Sequence, residues 1–159
     1  MYTVREGKKA DLPAVFNLIR ELALYEKAPQ EVTNSVELME TDGFGPQPVF
    51  GFFVVLRDSD QEIIGTAIYY YRYSTWKGKR LYLEDYIITE QERGKGAGKL
   101  LFERVLAKSL EDNCTGMMWQ VLDWNEPAIK FYEKYGASFE NEWLNCHLQA
   151  EEIARLIAS

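Results

Sequence analysis

The feature that most constrains the fold is the stretch from residue 81 to residue 102, where a strand pattern leads into a glycine-rich turn and then into a helix pattern. Residues 81–88 are mostly aromatic or aliphatic, which is typical of a strand. Arg93-Gly94-Lys95-Gly96-Ala97-Gly98 follows, and apolar residues then recur at helical spacing from Leu100 to Leu106. The first N–H groups of a helix lack intrahelical acceptors and carry partial positive charge, and glycine lets a phosphate approach the backbone closely. The junction therefore indicates an anion site, with a plain helix-capping turn as the alternative.

The spacing of the glycines does not match two common phosphate-binding motifs. The Gly-Lys-Ser/Thr ending of a P-loop is missing. Gly94, Gly96 and Gly98 form G-x-G-x-G, whereas dinucleotide-binding folds have G-x-G-x-x-G in their first strand-to-helix unit. The arrangement is instead Arg93-x-x-Gly96-x-Gly98, and Lys95 and Lys99 add positive charge to it.

Composition limits the class of protein. A chain of 159 residues with 47% hydrophobic residues is expected to fold as one domain, residues 1–159. A net charge of −7 argues against nucleic-acid binding and suits a cationic substrate, although acidity that serves only solubility is the alternative. The chain has no apolar run of membrane-spanning length, and residues 1–20 lack a signal-peptide pattern. Cys114, Cys146 and a single histidine do not have metal-site spacing, so we expect a cytoplasmic protein with reduced thiols and no metal.

The periodicity of the chain predicts an α/β fold with a central mixed, twisted sheet of about six to seven strands flanked by helices. Asp11 is a candidate cap for the first helix, which is expected to end near Lys27. Strands are predicted at 2–6, 49–57, 62–73, 81–88 and 115–121, with one or two further strand segments within 139–148. Later helices are predicted at 34–42, from the glycine turn to about residue 110, from Asn125 to Gly136, and at 150–157.

A second motif lies about 30 residues after the glycine turn. Asn125 stands at the head of a helix pattern, Phe131-Tyr132 follows six and seven residues later, and Gly136-Ala137 ends the pattern. With the glycine turn, this segment resembles the two coenzyme-binding segments of the GNAT N-acetyltransferases. Further segments resemble the diamine (spermidine/spermine) N-acetyltransferases within that superfamily: residues 20–26, 42–45, 76–78, 81–85 and 124–127. Residues 73–78 and 121–125 are most similar to the thialysine-acetylating branch, and the resemblance runs from about Tyr2 to about His147.

The resemblance implies a single-domain GNAT fold and an enzyme of the acyltransferase class EC 2.3.1. Its reaction would be the direct transfer of acetyl from acetyl-CoA to the primary amine of a small cationic acceptor. That acceptor would be a thialysine- or lysine-like amino acid, a diamine or a polyamine. The resemblance also implies a homodimer and no metal. Two rival functions stay open: an acetyl-CoA-binding sensor or interaction module without turnover, and a protein lysine or N-terminal acetyltransferase.

The resemblance also assigns two catalytic residues. Tyr132 is expected to be the acid that protonates the leaving thiolate, with a core tyrosine as the alternative. Glu84 is expected to be the base, acting through a water, or the anchor of the substrate ammonium. A salt bridge from Glu84 to Arg80 or Lys79 is the alternative. Since side chains alternate along a strand, we expect Glu84 and Asp85 to point to opposite faces.

The remaining site residues also follow from the resemblance. The coenzyme is expected to contact the backbone of Tyr86, Ile87 and Ile88, the turn residues Arg93, Gly94, Lys95, Gly96, Ala97, Gly98 and Lys99, and Asn125, Lys130 and Tyr132, with a surface lysine as the alternative for Lys130. The acceptor is expected to contact Tyr25, Glu26, Trp76, Glu84 and Asp85, although Trp76 could equally serve packing. The resemblance places an aspartate of the polyamine enzymes at the position of Ser74, so the loss of that carboxylate favours a lysine-like acceptor over spermine. The carboxylate of such an acceptor would need a cation, and Lys77, Lys79 and Arg80 lie close in sequence.

Overall fold

The computed structural model describes residues 1–158, and a five-stranded sheet is its central element. The strands are β1 (Tyr2–Glu6), β2 (Gly51–Arg57), β3 (Glu62–Ser74), β4 (Gly78–Ile88) and β5 (Gly116–Trp119), and they lie side by side in this order. The helices are α1 (Leu12–Tyr25), α2 (Val36–Phe44), α3 (Ala97–Glu111), α4 (Glu126–Glu133) and α5 (Ala150–Ala158).

The chain forms two compact units that divide after Gln120. The first unit, residues 1–120, holds the whole sheet with α1, α2 and α3. The second begins at Val121 and holds α4 and α5. The expectation of one domain over residues 1–159 stays a prediction.

The sheet is mixed, which confirms the predicted α/β class. Neighbouring strands from β1 to β4 are antiparallel, and β4 and β5 are parallel because α3 provides the crossover between them. The ladder between β4 and β5 joins only Arg80–Leu83 to Gly116–Trp119. Because β4 continues to Ile88, its edge from residue 84 to residue 88 has no strand neighbour on the β5 side within the described chain.

The predicted strand count is wrong, because the sheet has five strands and residues 139–148 contain none. These residues are exposed, and they lie in no ladder of the described chain. A strand requires a neighbour that exchanges backbone hydrogen bonds, and alternating apolar residues alone cannot supply that neighbour. The pattern at 139–148 is therefore not sufficient to specify a strand.

Two apolar layers cover the faces of the sheet. On one face, α1 contributes Leu12, Val15 and Phe16 to a buried cluster with Ile68 of β3. On the other face, α3 buries Leu101, Phe102 and Val105, and the Arg104 guanidinium of α3 lies over the Phe53 ring of β2. We call these the α1 side and the α3 side of the sheet.

The expected capping role of Asp11 is also wrong in detail. Asp11 occupies the N-cap position of α1, but its carboxylate does not accept a hydrogen bond from that helix. It accepts from the Lys8 backbone N–H at 2.7 Å and from both terminal nitrogens of Arg5 at 2.7 and 3.0 Å. The bidentate pair with Arg5 holds the pKa of Asp11 below its usual value and ties α1 to β1.

Candidate active site

The glycine-rich turn opens α3 in a conformation that only glycine adopts easily. Gly94 and Gly96 have φ angles of +77° and +96°, in the left-handed region. A Cβ atom added at either position would meet no atom within 4 Å, so both backbone groups face open space. The helix begins at Ala97 and has no acidic residue in its first turn. Its first N–H groups can therefore bind an anion in that space.

The glycine turn is held from two sides by glutamates that local sequence patterns do not reveal. On one side, Glu21 of α1 accepts from the Thr89 hydroxyl and from the Glu90 backbone N–H at 3.0 Å. On the other, Glu92 accepts from the Tyr2 hydroxyl at 2.5 Å and from Arg57 at 2.6 Å. Local sequence does not reveal these hydrogen bonds, because the residues that donate them lie between 35 and 90 residues away.

The cations of the turn are partly engaged with other side chains. The Arg93 Nε–H donates to the Ile88 carbonyl at 2.9 Å, and its guanidinium lies 5.2 Å from the centre of the Tyr25 ring. Lys95 pairs with Glu92 at 3.6 Å and Lys99 pairs with Glu103 at 3.6 Å, and both ammonium groups stay substantially exposed. An anion at the turn can therefore recruit both lysines by competing with weak ion pairs.

The β4 strand contains a bulge at Glu84. Leu83 pairs with Tyr69 and Asp85 pairs with Ile68, so Glu84 is an extra residue with no partner on β3. Asp85 lies opposite Ile68, which belongs to the α1-side core, and Glu84 accepts a hydrogen bond from the Tyr70 hydroxyl at 3.0 Å. Ile68 and Tyr70 are two residues apart on β3 and share a face. The expectation that the two carboxylates point to opposite faces is therefore wrong, because the bulge brings both to the α1 side.

Glu26, at the C-terminal end of α1, is close enough to complete an acidic cluster with Glu84 and Asp85. Burial, then the negative charges of Glu84 and Glu26, raise the pKa of Asp85 to about 7. Burial also raises the pKa of Glu26. Within the described chain neither Lys79 nor Arg80 pairs with Glu84: Lys79 lies over the Tyr71 ring and Arg80 donates to the Met117 carbonyl. No ion pair to Glu26, Glu84 or Asp85 is present in the described chain, so the cluster can bind a cation from solution.

An aromatic pair and an arginine extend this surface along the α1 side. The rings of Tyr70 and Tyr82 lie 5.2 Å apart, and the Arg72 guanidinium lies 5.9 Å from the centre of the Tyr82 ring. Burial and the nearby Glu84 carboxylate raise the pKa of Tyr70 to about 12, so its hydroxyl stays a donor to Glu84 at neutral pH. Tyr86 points to the α3 side, where its hydroxyl donates to the Gly98 carbonyl at 2.6 Å.

Trp76 lies apart from the acidic cluster. It is 87% exposed in the turn between β3 and β4. Gly78, where β4 begins, precedes Glu84 by six residues, which is about 20 Å along a strand. The Ser74 hydroxyl accepts from the backbone N–H groups of Trp76 and Lys77, so this serine stabilises the turn.

The second unit carries the other expected coenzyme contacts. Asn125 caps α4 by accepting from the Ala128 N–H at 3.4 Å, and proline follows in the first turn. Tyr132 is 6% exposed, and its ring lies 5.6 Å from that of Phe131. Lys130 is exposed on the same helix.

The described residues contain neither a candidate metal cluster nor a membrane-spanning helix. Among residues 1–158, no three His, Cys, Asp or Glu side chains are arranged to hold a metal ion. None of the helices in that range is long and apolar enough to cross a membrane.

Comparison with known proteins supplies the family. The sequence model described as "Acetyltransferase (GNAT) family" matches residues 13–137. The chain is 36% identical to thialysine N-epsilon-acetyltransferase of Bos taurus, over 98% of this chain and 96% of that protein. It is 30% identical to spermidine/spermine N(1)-acetyltransferase-like protein 1 of Homo sapiens, over 96% of this chain and 23% of that protein.

A solved structure has a similar fold. An integron cassette protein from V. cholerae superposes with a TM-score of 0.77 at 20% sequence identity, and the match covers 99% of this chain and 98% of that one. The family model spans most of the sequence, and the two relatives are 30–36% identical over nearly all of it. The chain therefore belongs to the acetyltransferase (GNAT) family.

Proposed function

We propose that this acetyltransferase moves acetyl from acetyl-CoA to the primary amine of a small cationic acceptor, and that a lysine-like amino acid is the preferred acceptor. The observation that carries the proposal is the bulge in β4, which brings Glu84 and Asp85 to one face beside Glu26. Three carboxylates that form no ion pair within residues 1–158 suit an ammonium group. The part of β4 beyond its ladder with β5 and the open glycine turn adjoin this cluster in sequence.

The residues present fit acetyl-CoA, which GNAT enzymes use as the acetyl donor. The N–H groups from Gly94 to Lys99, with Lys95 and Lys99, would hold its pyrophosphate, because both left-handed glycines face open space there. The backbone of Tyr86, Ile87 and Ile88 would hold its pantetheine arm, since this part of β4 lies beyond the short ladder with β5, which ends at Leu83. Asn125, Lys130 and Tyr132 are proposed contacts from the second unit. Acetyl-CoA supplies the thioester carbonyl that the amine attacks.

The acceptor needs to lose a proton before it reacts. A primary ammonium group has a pKa near 10.4, so most of it is protonated at neutral pH. In the proposed site Glu84 and Glu26 hold the ammonium, and the released proton passes to the Glu84–Asp85 pair. The amine nitrogen then forms its bond to the acetyl carbon, the bond from that carbon to sulfur breaks, and Tyr132 gives its proton to the leaving thiolate. The second proton, which the nitrogen loses as the amide forms, returns Tyr132 to its neutral form.

The acceptor class is supported by the relatives and by the site. The bovine relative is named for thialysine, and the human one is named as similar to spermidine/spermine N(1)-acetyltransferase, so both names refer to small amines. A broad peptide substrate is less well supported, because three carboxylates around one strand bulge suit a single ammonium group.

A cytoplasmic homodimer is the proposed state of the protein. Sedimentation velocity at micromolar concentration would report a mass near twice the 18.5 kDa of the chain. A mass equal to one chain at every concentration would contradict the dimer.

The first experiment is the release of coenzyme A thiol from acetyl-CoA. The acceptor panel is thialysine, lysine, putrescine, spermidine, spermine and a lysine peptide. We expect turnover with the small amines and little with the peptide. Peptide turnover above all small amines would indicate a protein acetyltransferase instead. Tight binding of acetyl-CoA without turnover of any acceptor would indicate a binding module.

A further inference from the structure

Arg72 is a cation on the α1 side of the sheet, which is the side that carries the proposed acceptor site. It lies on β3 in register with Arg80, and its guanidinium reaches along the strand to the Tyr82 ring at 5.9 Å. Tyr82 packs against Tyr70, which donates to Glu84 at 3.0 Å. Arg72, the two rings and the carboxylates therefore form one continuous surface on the α1 side.

The Arg72 guanidinium keeps most of its donors available. Its Nη1 contacts the Met118 sulfur at 3.0 Å, and a thioether is a weak acceptor. No carboxylate of residues 1–158 forms an ion pair with it. An exposed guanidinium with free donors, held over an aromatic ring, is a site for an anionic group.

We infer that Arg72 binds the α-carboxylate of the acceptor, so that the enzyme selects an amino acid with a terminal amine over a diamine of the same length. This inference rests on the proposed function. It names the residue that distinguishes the two acceptor classes within that function.

The spacing of Tyr82 and Glu84 along β4 suits such an acceptor. Tyr82, over which the guanidinium lies, precedes Glu84 by two residues, which is about 7 Å along a strand. In an extended lysine-type chain, six single bonds of about 1.5 Å each separate the amine nitrogen from the carboxylate carbon and span about 7 Å. The ammonium can therefore reach Glu84 while the carboxylate reaches Arg72 and the aliphatic chain lies along Tyr82.

The charge of Arg72 favours an amino acid and disfavours a diamine. An amino acid places its carboxylate against the guanidinium, whereas a diamine places a second ammonium there and is repelled. The three cations closest in sequence to the β3–β4 turn are placed elsewhere. Lys77 lies in that turn, seven residues before Glu84. Lys79 lies on the α3 side over Tyr71, and the Arg80 guanidinium packs against Gly116 and donates to a backbone carbonyl.

The test compares lysine with cadaverine, the diamine that is lysine without its carboxylate. The kcat/KM of each acceptor is measured with saturating acetyl-CoA for wild type, Arg72→Gln and Arg72→Lys. We expect Arg72→Gln to lower kcat/KM for lysine by about 10- to 100-fold, as for loss of a charge-assisted hydrogen bond, and to leave that for cadaverine unchanged or improved. Arg72→Lys should restore part of the preference.

Arg104→Gln is the matched control. Arg104 also lies over an aromatic ring, at 4.6 Å from Phe53, but on the α3 side. The Arg104→Gln variant loses the same charge as Arg72→Gln but on the other face of the sheet. Its ratio of lysine to cadaverine kcat/KM should therefore stay at the wild-type value. Calorimetric titration of lysine into each protein saturated with coenzyme A gives a second readout, in which Arg72→Gln alone should weaken binding.

The outcomes separate the inference from the proposed function. If wild type acetylates amines but prefers cadaverine, or if Arg72→Gln lowers both acceptors equally, the inference is overturned and the proposed function stands. If wild type acetylates neither acceptor nor any other amine of the panel, the proposed function fails and the inference fails with it.

Discussion

At the scale of single residues, one extra residue in β4 decides the chemistry of the site. Without the bulge, Asp85 would face the α3 side and Glu84 would stand alone. With it, both carboxylates share the α1 side, and Asp85 is the one whose pKa burial and its neighbours raise to about 7. The local pattern Leu81–Ile88 predicts a strand correctly, but a bulge depends on how β3 and β4 pair, which local sequence does not specify.

The raised pKa predicts a pH dependence of acetyl transfer. Asp85 is protonated below pH 7 and ionised above it, so kcat/KM for the acceptor should rise through about pH 7. Asp85→Asn should remove that step and leave only the later rise from ionisation of the free amine. In Glu84→Gln the rise of kcat/KM with ionisation of Asp85 should remain but move to lower pH, because the negative charge of Glu84 no longer raises the pKa of Asp85. An unaltered step near pH 7 in Asp85→Asn would contradict the assignment.

The same residue predicts a pH dependence of stability. The folded-state pKa lies above the ordinary value of 3.8, so between about pH 4 and 7 the folded protein binds more protons than the unfolded chain. Its stability therefore falls as pH rises through that window. Asp85→Asn should be more stable than wild type, with the gap growing by about 2 kcal/mol from pH 5 to pH 8 in urea unfolding.

Asp60 provides a control of opposite sign for this measurement. Its pKa is lowered by Arg57, so its ionised form favours the folded state. Asp60→Asn should therefore lose stability at pH 8. A constant difference between wild type and Asp85→Asn across the range would contradict the prediction.

Tyr132 is the proposed acid, and its substitution separates chemistry from binding. Tyr132→Phe keeps the ring, which packs beside Phe131, and removes only the hydroxyl. We expect kcat to fall by roughly 100-fold or more, as for loss of a general acid, with the Kd for coenzyme A unchanged. Stopped-flow thiol release and calorimetry measure the two quantities. An unchanged kcat would make Tyr132 a packing residue.

At the scale of elements, the glycine turn works as a unit because it is anchored at both ends. Glu92, whose side chain is only 8% exposed, joins the turn to β1 through Tyr2 and to β2 through Arg57. Glu92→Gln weakens both contacts and loosens the N-terminal end of α3, so the KM for acetyl-CoA should rise about 3- to 10-fold while the acceptor KM changes little.

Glu111→Gln is the comparison for Glu92→Gln. Glu111, the last residue of α3, accepts from Arg104 at 3.2 Å, and its side chain is 52% exposed. It should leave the KM for acetyl-CoA unchanged. Equal effects of the two variants would indicate a general loss of stability rather than positioning of the turn.

The elements themselves could be predicted to different extents from sequence. Strands with a strong apolar pattern, such as β1 and β2, and the helix that follows the glycine turn were predicted almost to the residue, because their pattern is local. The strand expected at 139–148 was wrong, because it depended on a partner that the local pattern cannot specify. Glu21 and Glu92 were missed for the same reason, since each acts through residues distant in the chain.

At the scale of the whole molecule, the net charge of −7 adds a field to the local cluster. The site carries three carboxylates, and the surrounding protein is also acidic, so a cationic acceptor is attracted before it touches Glu84. Arg72 opposes this attraction only at the distal end of the acceptor. Long-range attraction therefore follows the total charge of the acceptor, whereas selection between acceptors follows the charge at its far end.

Salt separates the two effects. Raising NaCl from about 50 mM to about 500 mM shortens the Debye length to roughly 4 Å and screens the long-range field but not a contact ion pair. We expect the KM for cadaverine, which carries two positive charges, to rise several-fold, and the KM for lysine, which carries a single net positive charge, to rise less. The kcat for both should stay nearly constant, because screening acts on encounter and not on the bound complex. A cadaverine KM that is independent of salt would mean that the acidic surface does not contribute to capture, and that the carboxylates at the β4 bulge act only in contact.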